Sequence, residues 1–332
     1  MNNKPLVSII IPNYNHALYL KERLDSIFNQ IFQDFEVILL DDCSTDASRE
    51  ILTKYAEKEK VSHCVFNEIN SGNTFDQWNK GIALAKGTYI WIAESDDYCE
   101  NNFLEKVLTP LLEDKEIVLS YCQSNRVNAK SKVTGSWLKQ TQELDDTLFL
   151  SDFTLNGNEF IERFLIYKNV IPNASAVVFR RQSLEDLGSL ERVSKFKYCG
   201  DWILYFNLII NNKISYVSES LNGFRYHSES VIATANKSEN RIDIIDIELT
   251  TKDEFIKFLR SKNPLNLREI LVNERATRKI LKYEKALLLI RNNNKIKGFI
   301  LLLSVLDVFK RKFNFGKKMR TKIANLFNFK RN

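Results

Sequence analysis

From Leu6 to Tyr121 short apolar runs alternate with stretches whose apolar residues recur at helical spacing. Leu6 to Ile11 is apolar and β-branched and is stopped by Pro12, which predicts a strand. Leu20, Leu24, Ile27, Phe28 and Ile31 follow at steps of three and four, so a helix comes next. The next strand is expected over Val37-Ile38-Leu39-Leu40, with a helix through Ile51, Leu52 and Tyr55 after it. Cys64-Val65-Phe66 reads as a third strand, Trp78, Ile82 and Ala85 mark a helix, and the run from Tyr89 to Ala93 reads as a strand buried on both faces. A helix over Phe103 to Leu112 and a strand over Ile117 to Tyr121 continue the rhythm. Regular alternation of this kind argues for a mostly parallel sheet with helices on both faces.

Beyond Cys122 the pattern changes. Residues 123–150 are polar and rich in Ser and Thr, and are expected to be irregular or to form short strands beside a crevice. A helix near Glu159 to Leu165, a strand at Ala176 to Phe179, a helix from Trp202 to Ile210 and a strand at Ile214 to Val217 come next. Residues 240–290 have helical character and form a separate extension; no repeat or low-complexity block is present.

Charge sharpens the picture at one end. From Arg291 to Asn332 there are 12 Lys and Arg against one acid, Asp307, a balance of +11; the whole chain carries +6, so residues 1–290 carry −5. Phe299 to Leu306 is apolar but much shorter than the ~20 residues needed to cross a bilayer. Met319, Ile323, Leu326 and Phe327 fall at helical spacing among Lys317, Lys318, Arg320, Lys322 and Lys330, as suits a helix lying on an anionic membrane surface; a solvated basic face is the alternative. No nucleic-acid module accompanies these charges, so nucleic acid is not an expected partner. The five cysteines are scattered without CxxC spacing, and Met1 to Lys4 lacks the features of a secretory signal. A cytoplasmic, reducing compartment is therefore expected, with the chain peripheral on the inner face of the cell membrane.

The chemistry gathers where strands end. The run from Tyr89 to Ala93 closes on Glu94, Asp96 and Asp97, and clustered carboxylates repel unless a cation neutralises them; a divalent ion held by oxygen ligands and a simple helix cap are both open. No two of the ten glycines stand two positions apart, so neither the dinucleotide fingerprint nor the P-loop is present. Of the histidines, His16 and His63 have no evident companions and read as structural or surface groups.

Pro12-Asn13-Tyr14-Asn15 after the first strand, Asp41-Asp42-Cys43-Ser44-Thr45-Asp46 after the second, Asn70-Ser71-Gly72-Asn73, and Ser95-Asp96-Asp97 after the fourth stand in order at the ends of successive elements. Over roughly residues 5–235 the chain resembles the family 2 glycosyltransferases of the GT-A fold. The resemblance implies a nucleotide-sugar-binding half (1–122), an acceptor-binding half (123–235) and a helical extension with a basic tail (236–332). It implies inverting transfer of a sugar from a nucleotide diphosphate donor, a UDP-sugar in the first instance, with Mn²⁺ or Mg²⁺.

The roles it implies are these. Tyr14 stacks on the base, Pro12 and Asn15 shape that pocket, and Asp42 accepts from the base N–H. Asp96 lies by the donor sugar and Asp97 on the metal, while Glu94 departs from the usual pattern and has no assigned part. Asp201, in Cys199-Gly200-Asp201-Trp202, is the general base that inversion requires, with helix capping as its bland alternative. Trp202 lines the acceptor or donor pocket, or packs in the core. Arg225 pairs with the diphosphate and His227 completes the metal shell or contacts phosphate, both in the segment Leu221 to Ser230, with a structural loop as the alternative; Arg180 and Arg181 are weaker phosphate or acceptor contacts. The acceptor is expected to be a saccharide or lipid-linked saccharide. A sugar-nucleotide nucleotidyltransferase lacks the Gly-rich basic loop after strand one, and the retained Asp96, Asp97, Asp201 and His227 speak against a non-catalytic binding protein.

Overall fold

The computed structural model describes residues 4–190, 195–196, 199–227 and 241–312. Four parallel strands form one half of the sheet: β1 (Val7–Asn13), β2 (Phe35–Asp41), β3 (Val61–Phe66) and β4 (Tyr89–Ile92). Between them run α1 (Ala17–Phe28), α2 (Ser48–Ala56) and α3 (Thr74–Leu84). Every residue of β1, β2 and β4 is buried. Because side chains alternate across a strand, the apolar runs divide between two cores: Ile10, Ile38, Leu40, Ile90 and Ile92 face one side, Val7, Ile9, Ile11, Val37, Leu39 and Trp91 the other. That two-sided burial is why these strands read as continuous apolar runs.

The second half departs from the simple alternation. The short β5 (Tyr98–Cys99) and α4 (Phe103–Glu113) lead into β6 (Ile117–Asn128), which pairs with β7 (Val133–Ser136). After α5 (Leu138–Gln142) come β8 (Phe153–Asn156), α6 (Gly157–Phe160) and a π-helical turn over Ile161–Leu165. The chain then forms β9 (Val177–Arg180), α7 (Arg181–Leu187), α8 (Gly200–Ile209) and β10 (Lys213–Tyr226). The strand order is β3-β2-β1-β4-β9-β6-β10-β5. β9 runs antiparallel to both β4 and β6, whereas β10 is parallel to β6.

Two strands are much longer than their apolar segments. β6 spans 12 residues and β10 spans 14, although only 117–121 and 214–217 stand out as apolar. Their distal halves pair with each other over mostly polar residues, Ser220 with Gln123 and Asn222 with Ser124, so backbone pairing continues where the hydrophobic signal stops. This ribbon carries Arg225 and His227 back over the end of β4.

The C-terminal extension consists of α9 (Arg241–Lys262), α10 (Leu267–Arg291), α11 (Lys295–Ser304) and α12 (Leu306–Lys312). It is docked rather than tethered: Phe255 stacks on Phe206 of α8 with ring centroids 3.8 Å apart, and the buried Lys252 donates to the Ile166 carbonyl at 2.6 Å. Met319, Ile323, Leu326 and Phe327, expected to form a basic amphipathic helix, lie outside the described residues. No helix among the described residues is long and apolar enough to cross a membrane.

Candidate active site

Parallel pairing brings the ends of β1, β2 and β4 to one edge of the sheet, where an open α/β sheet presents its ligand crevice. Asn13, at the end of β1, donates through Nδ2 to Asp41 Oδ1 at 2.9 Å and to Ser44 Oγ at 3.1 Å. Asn15 and Cys43 both adopt positive φ, 56° and 63°, and Asn tolerates that region because its short amide bonds locally. The Asn15 N–H donates to Ser44 Oγ at 2.9 Å and its side-chain oxygen accepts from the Thr45 N–H at 2.8 Å. The two strand-end loops are thus laced together. Pro12 is buried, while Tyr14 is 45% exposed and belongs to neither core.

Asp41 and Asp46 serve the scaffold. Asp41 accepts from the Ser44 N–H at 3.0 Å and pairs with Arg49 at 3.0 Å. Asp46 joins the starts of α1 and α2 by accepting from the Ala17 and Ser48 N–H groups, both at 2.9 Å. Asp42 is buried, and its carboxylate is ringed by Asn67 Nδ2 at 2.7 Å, Ser71 Oγ at 2.7 Å, the Ser71 N–H at 2.9 Å and Gln77 Nε2 at 2.9 Å. A carboxylate offers about four acceptor positions. A base N–H reaching Asp42 must therefore displace one of these donors.

The acid cluster after β4 resolves into three environments. Glu94 is a brace: its carboxyl accepts from the Trp78 indole at 2.9 Å, its carbonyl from Arg23 Nε at 2.9 Å, and its N–H donates to Ser175 Oγ at 3.1 Å. Burial and the neighbouring Asp96 charge push it up to about 8. Asp97 is buried and accepts from the Arg225 N–H at 2.9 Å; burial, then the Asp96 charge, push it up to about 7 against the opposing pull of Arg23. Asp96 turns the other way, toward His227 Nε2 at 3.0 Å. Burial opposes its ionisation, but the His227 hydrogen bond and the charges of His16 and His227 hold it below the usual carboxylate range.

Among the described residues, His16, Asp96 and His227 form a group whose nitrogen and oxygen donors all lie within 4.8 Å of one another. Two imidazoles and one carboxylate suit a borderline ion such as Mn²⁺ better than Mg²⁺, which prefers oxygen donors. His16, read from sequence as lacking companions, is corrected here. Its Nδ1 lies 2.8 Å from Ser95 Oγ, its ring meets His227 edge-on with centroids 5.6 Å apart, and burial lowers its pKa. The usable signal was positional, since His16 directly follows the Pro12-Asn15 segment at a strand end. Asp97, the expected metal ligand, lies outside this group because its carboxyl faces the Arg225 backbone.

Arg225 departs from its expected role as well. Its side chain is fully buried, with Nε donating to the Asp96 carbonyl at 2.5 Å, Nη1 to the Asn128 carbonyl at 3.1 Å and to Ser131 Oγ at 3.0 Å, and Nη2 pairing with Glu22 at 2.6 Å. The guanidinium lies over Tyr19, 4.7 Å from the ring centroid. All three of its nitrogens are engaged and four of its five N–H groups are used, so Arg225 fixes the loop beneath Asp96 and has no free pair of donors for bidentate contact with a phosphate. Sequence reasoning missed these partners, Glu22, Tyr19, Asn128 and Ser131, because they come from α1 and the β6–β7 turn.

Asp201 lies in the first turn of α8, where Cys199 is the cap. Its carboxylate accepts from the Trp202 N–H at 2.7 Å and Asn169 Nδ2 at 3.2 Å, and burial pushes it up to about 6. Burial raises the Tyr205 pKa, and the charges of Asp201 and Glu94 raise it further. Trp202 is in the core: its indole donates to the Leu165 carbonyl at 2.9 Å and its ring meets Phe255 edge-on at 5.2 Å. Arg180 and Arg181 point elsewhere. Because β9 runs antiparallel, Arg180 pairs with Tyr89 at the start of β4 and donates to the Leu111 carbonyl at 2.8 Å, while Arg181 pairs with Glu185.

A profile of the family described as glycosyl transferase family 2 matches residues 8–188, more than half of the chain. A Bacillus subtilis glycosyltransferase named for teichuronic acid biosynthesis is 39% identical over 112 residues, 34% of this chain and 44% of the relative. A poly(ribitol-phosphate) beta-glucosyltransferase of Bacillus spizizenii is 29% identical over 206 residues, 60% of this chain and 32% of the relative. The chain thus spans less than half the length of either. In fold it is similar to S. aureus TarS in complex with UDP-GlcNAc, at TM-score 0.57 and 17% identity, covering 84% of this chain and 80% of that one.

Proposed function

The chain belongs to glycosyl transferase family 2, and from that premise we propose that it moves a sugar from a UDP-sugar to an acceptor hydroxyl with inversion, assisted by a divalent cation. The observation that carries this reading is the convergence of His16, Asp96 and His227 at the edge where the exposed Tyr14 and the buried Asp42 also stand. Tyr14 supplies an aromatic face for the base, Pro12 and Asn15 shape that pocket, and Asp42 exchanges one of its present donors for the base N–H. His16, Asp96 and His227 are the residues that would hold Mn²⁺ or Mg²⁺, with Asp97 adjoining. Such an ion would neutralise charge on the departing nucleoside diphosphate.

Asp201 takes the proton from the acceptor hydroxyl on the other side of the sugar. A carboxylate with a pKa raised to about 6 is a stronger base than an ordinary aspartate and is still ionised at neutral pH. Arg225 acts as a positioning residue through the Asp96 carbonyl. The acceptor is a saccharide or lipid-linked saccharide in cell-surface polysaccharide or glycolipid assembly, a reading supported by the polymers in the relatives' names. The excess of +11 in residues 291–332 supports work at an anionic membrane surface.

A panel of nucleotide sugars tests this directly. A UDP-sugar with Mn²⁺ is expected to raise the thermal midpoint and to be hydrolysed slowly, and an α-linked donor is expected to yield a β-linked product. Equal response to GDP-sugars, or retention of configuration, overturns the donor or the stereochemical part respectively.

A further inference from the structure

The turn between α10 and α11 is closed by Asn293 at φ 60° and by the Asn294 N–H donating to the Leu289 carbonyl at 2.8 Å. It lays α11 back along α10. Gly298 makes the contact: a Cβ there would come 2.6 Å from Ile290 Cγ1 and 2.9 Å from the Ala286 carbonyl. With a rotation of ~100° per residue, Gly298 and the buried Val305 face inward, and Ile296, Phe299, Ile300 and Leu303 occupy the opposite side. Those four are 54% to 77% exposed. Nothing among the described residues covers them.

A soluble surface helix turns its apolar stripe toward the core; α11 carries one on the outside. Lys295 and Lys297 flank that stripe on either side, and α11 contains no acid. Long lysine stems lie along apolar surface while their ammonium groups stay in water. Apolar side chains facing out between basic ones are the pattern of a helix lying in the plane of a membrane interface. A second copy of the chain is a poor occupant, since each would bring its own +11 from residues 291–332, and like charges oppose association.

We propose that the outer face of α11 inserts Ile296, Phe299, Ile300 and Leu303 into the interface of an anionic bilayer. This rests on the reading that the enzyme works at a membrane face, and it locates the contact within the folded extension. Through the packing of α10 on α9 and of α9 on α8, that contact holds the acceptor side of the site near the lipid surface.

The test is co-sedimentation of the full chain with phosphatidylcholine vesicles containing or lacking phosphatidylserine. The wild type is expected to bind only the anionic vesicles. The pair Phe299→Gln and Leu303→Gln is expected to lower that partitioning about tenfold or more, with donor hydrolysis unchanged. Ile296→Gln with Ile300→Gln is a second pair on the same face, for use if the first does not fold. Lys295→Gln with Lys297→Gln is expected to weaken binding and reduce its salt sensitivity. Absent wild-type binding, or apolar variants that bind like wild type, overturns the proposal. A dimer that dissociates in the variants also overturns it and assigns the face to a second copy. Vesicle binding is read without substrate, so failure of the glycosyltransferase assignment would show separately, in the donor assay.

Discussion

Nε2 of His227 lies 3.0 Å from Oδ2 of Asp96, joining positions 131 residues apart in the chain. The contact closes the β10 end over the β4 end and completes, with His16, the one group of ligand donors found among the described residues. If that group holds the cation, Asp96→Asn and His227→Gln each raise the Mn²⁺ concentration for half-maximal activity by ~10-fold or more, and the double variant adds little, since partners in one shell act as a unit. His16→Gln is expected to do the same more weakly. Titrating Mn²⁺ into metal-stripped protein, read by activity and by thermal shift, checks this; unchanged titration in all three variants removes the assignment.

Tyr14 separates binding from folding. It is 45% exposed and outside both cores, so Tyr14→Ala leaves the thermal midpoint within about a degree or two of wild type, as surface changes do. Base stacking contributes about 1–3 kcal/mol in nucleic-acid systems, so the variant is expected to bind UDP about 5- to 150-fold more weakly. Calorimetric titration with UDP measures it, and unaltered affinity takes Tyr14 out of the donor pocket.

The first half of the fold was legible because β1, β2 and β4 are buried on both faces and their apolar runs have no competing signal. Their parallel direction followed from the alternating helices, and with it the meeting of Asp42 and Asp96 at one edge. The second half was less legible for a physical reason. Distal β6 and β10 are held by backbone pairing between polar residues, such as Asn222 with Ser124, and hydrophobic periodicity carries no record of that. The reversal of β9 left no mark in composition either, and it moved Arg180 to the wrong end of β4. Trp202 and Arg225 illustrate a second limit. Motif position singled them out, but partners from distant elements, Phe255 for one and Glu22 for the other, decided where their side chains went.

Arg225 can be tested against the phosphate role its position first implied. As the structure has it, the guanidinium satisfies two part-buried carbonyls, a hydroxyl and Glu22 at once. Lysine cannot reproduce that fork, and unsatisfied buried groups cost about 1–3 kcal/mol each. Arg225→Lys is therefore expected to lower stability by ~2–4 kcal/mol and to depress kcat, with donor KM changed less. Urea unfolding and steady-state kinetics distinguish the cases. A fully stable variant with a donor KM raised tenfold would return Arg225 to the phosphate.

Asp201 yields the sharpest contrast between activity and stability. Burial pushes its pKa up to about 6 from an ordinary value of 3.8, so the folded chain binds the proton more tightly than the unfolded chain. The resulting stability is fully present below about pH 4 and is lost as pH rises through about 6, a loss on the order of 3 kcal/mol by linkage. Asp201→Asn removes the titration at the expense of about 1 kcal/mol, for the hydrogen bond that an amide cannot make to both Asn169 and the Trp202 N–H. The variant is expected to melt above wild type at pH 8 and at or below it at pH 4. Its transfer rate falls by ~10²–10⁴ and loses the rise through pH 6 that the wild type shows. Melting curves and rate profiles over pH 4–8 measure both; parallel melting profiles with a near-normal rate would leave Asp201 as a support for the first turn of α8 and require another base.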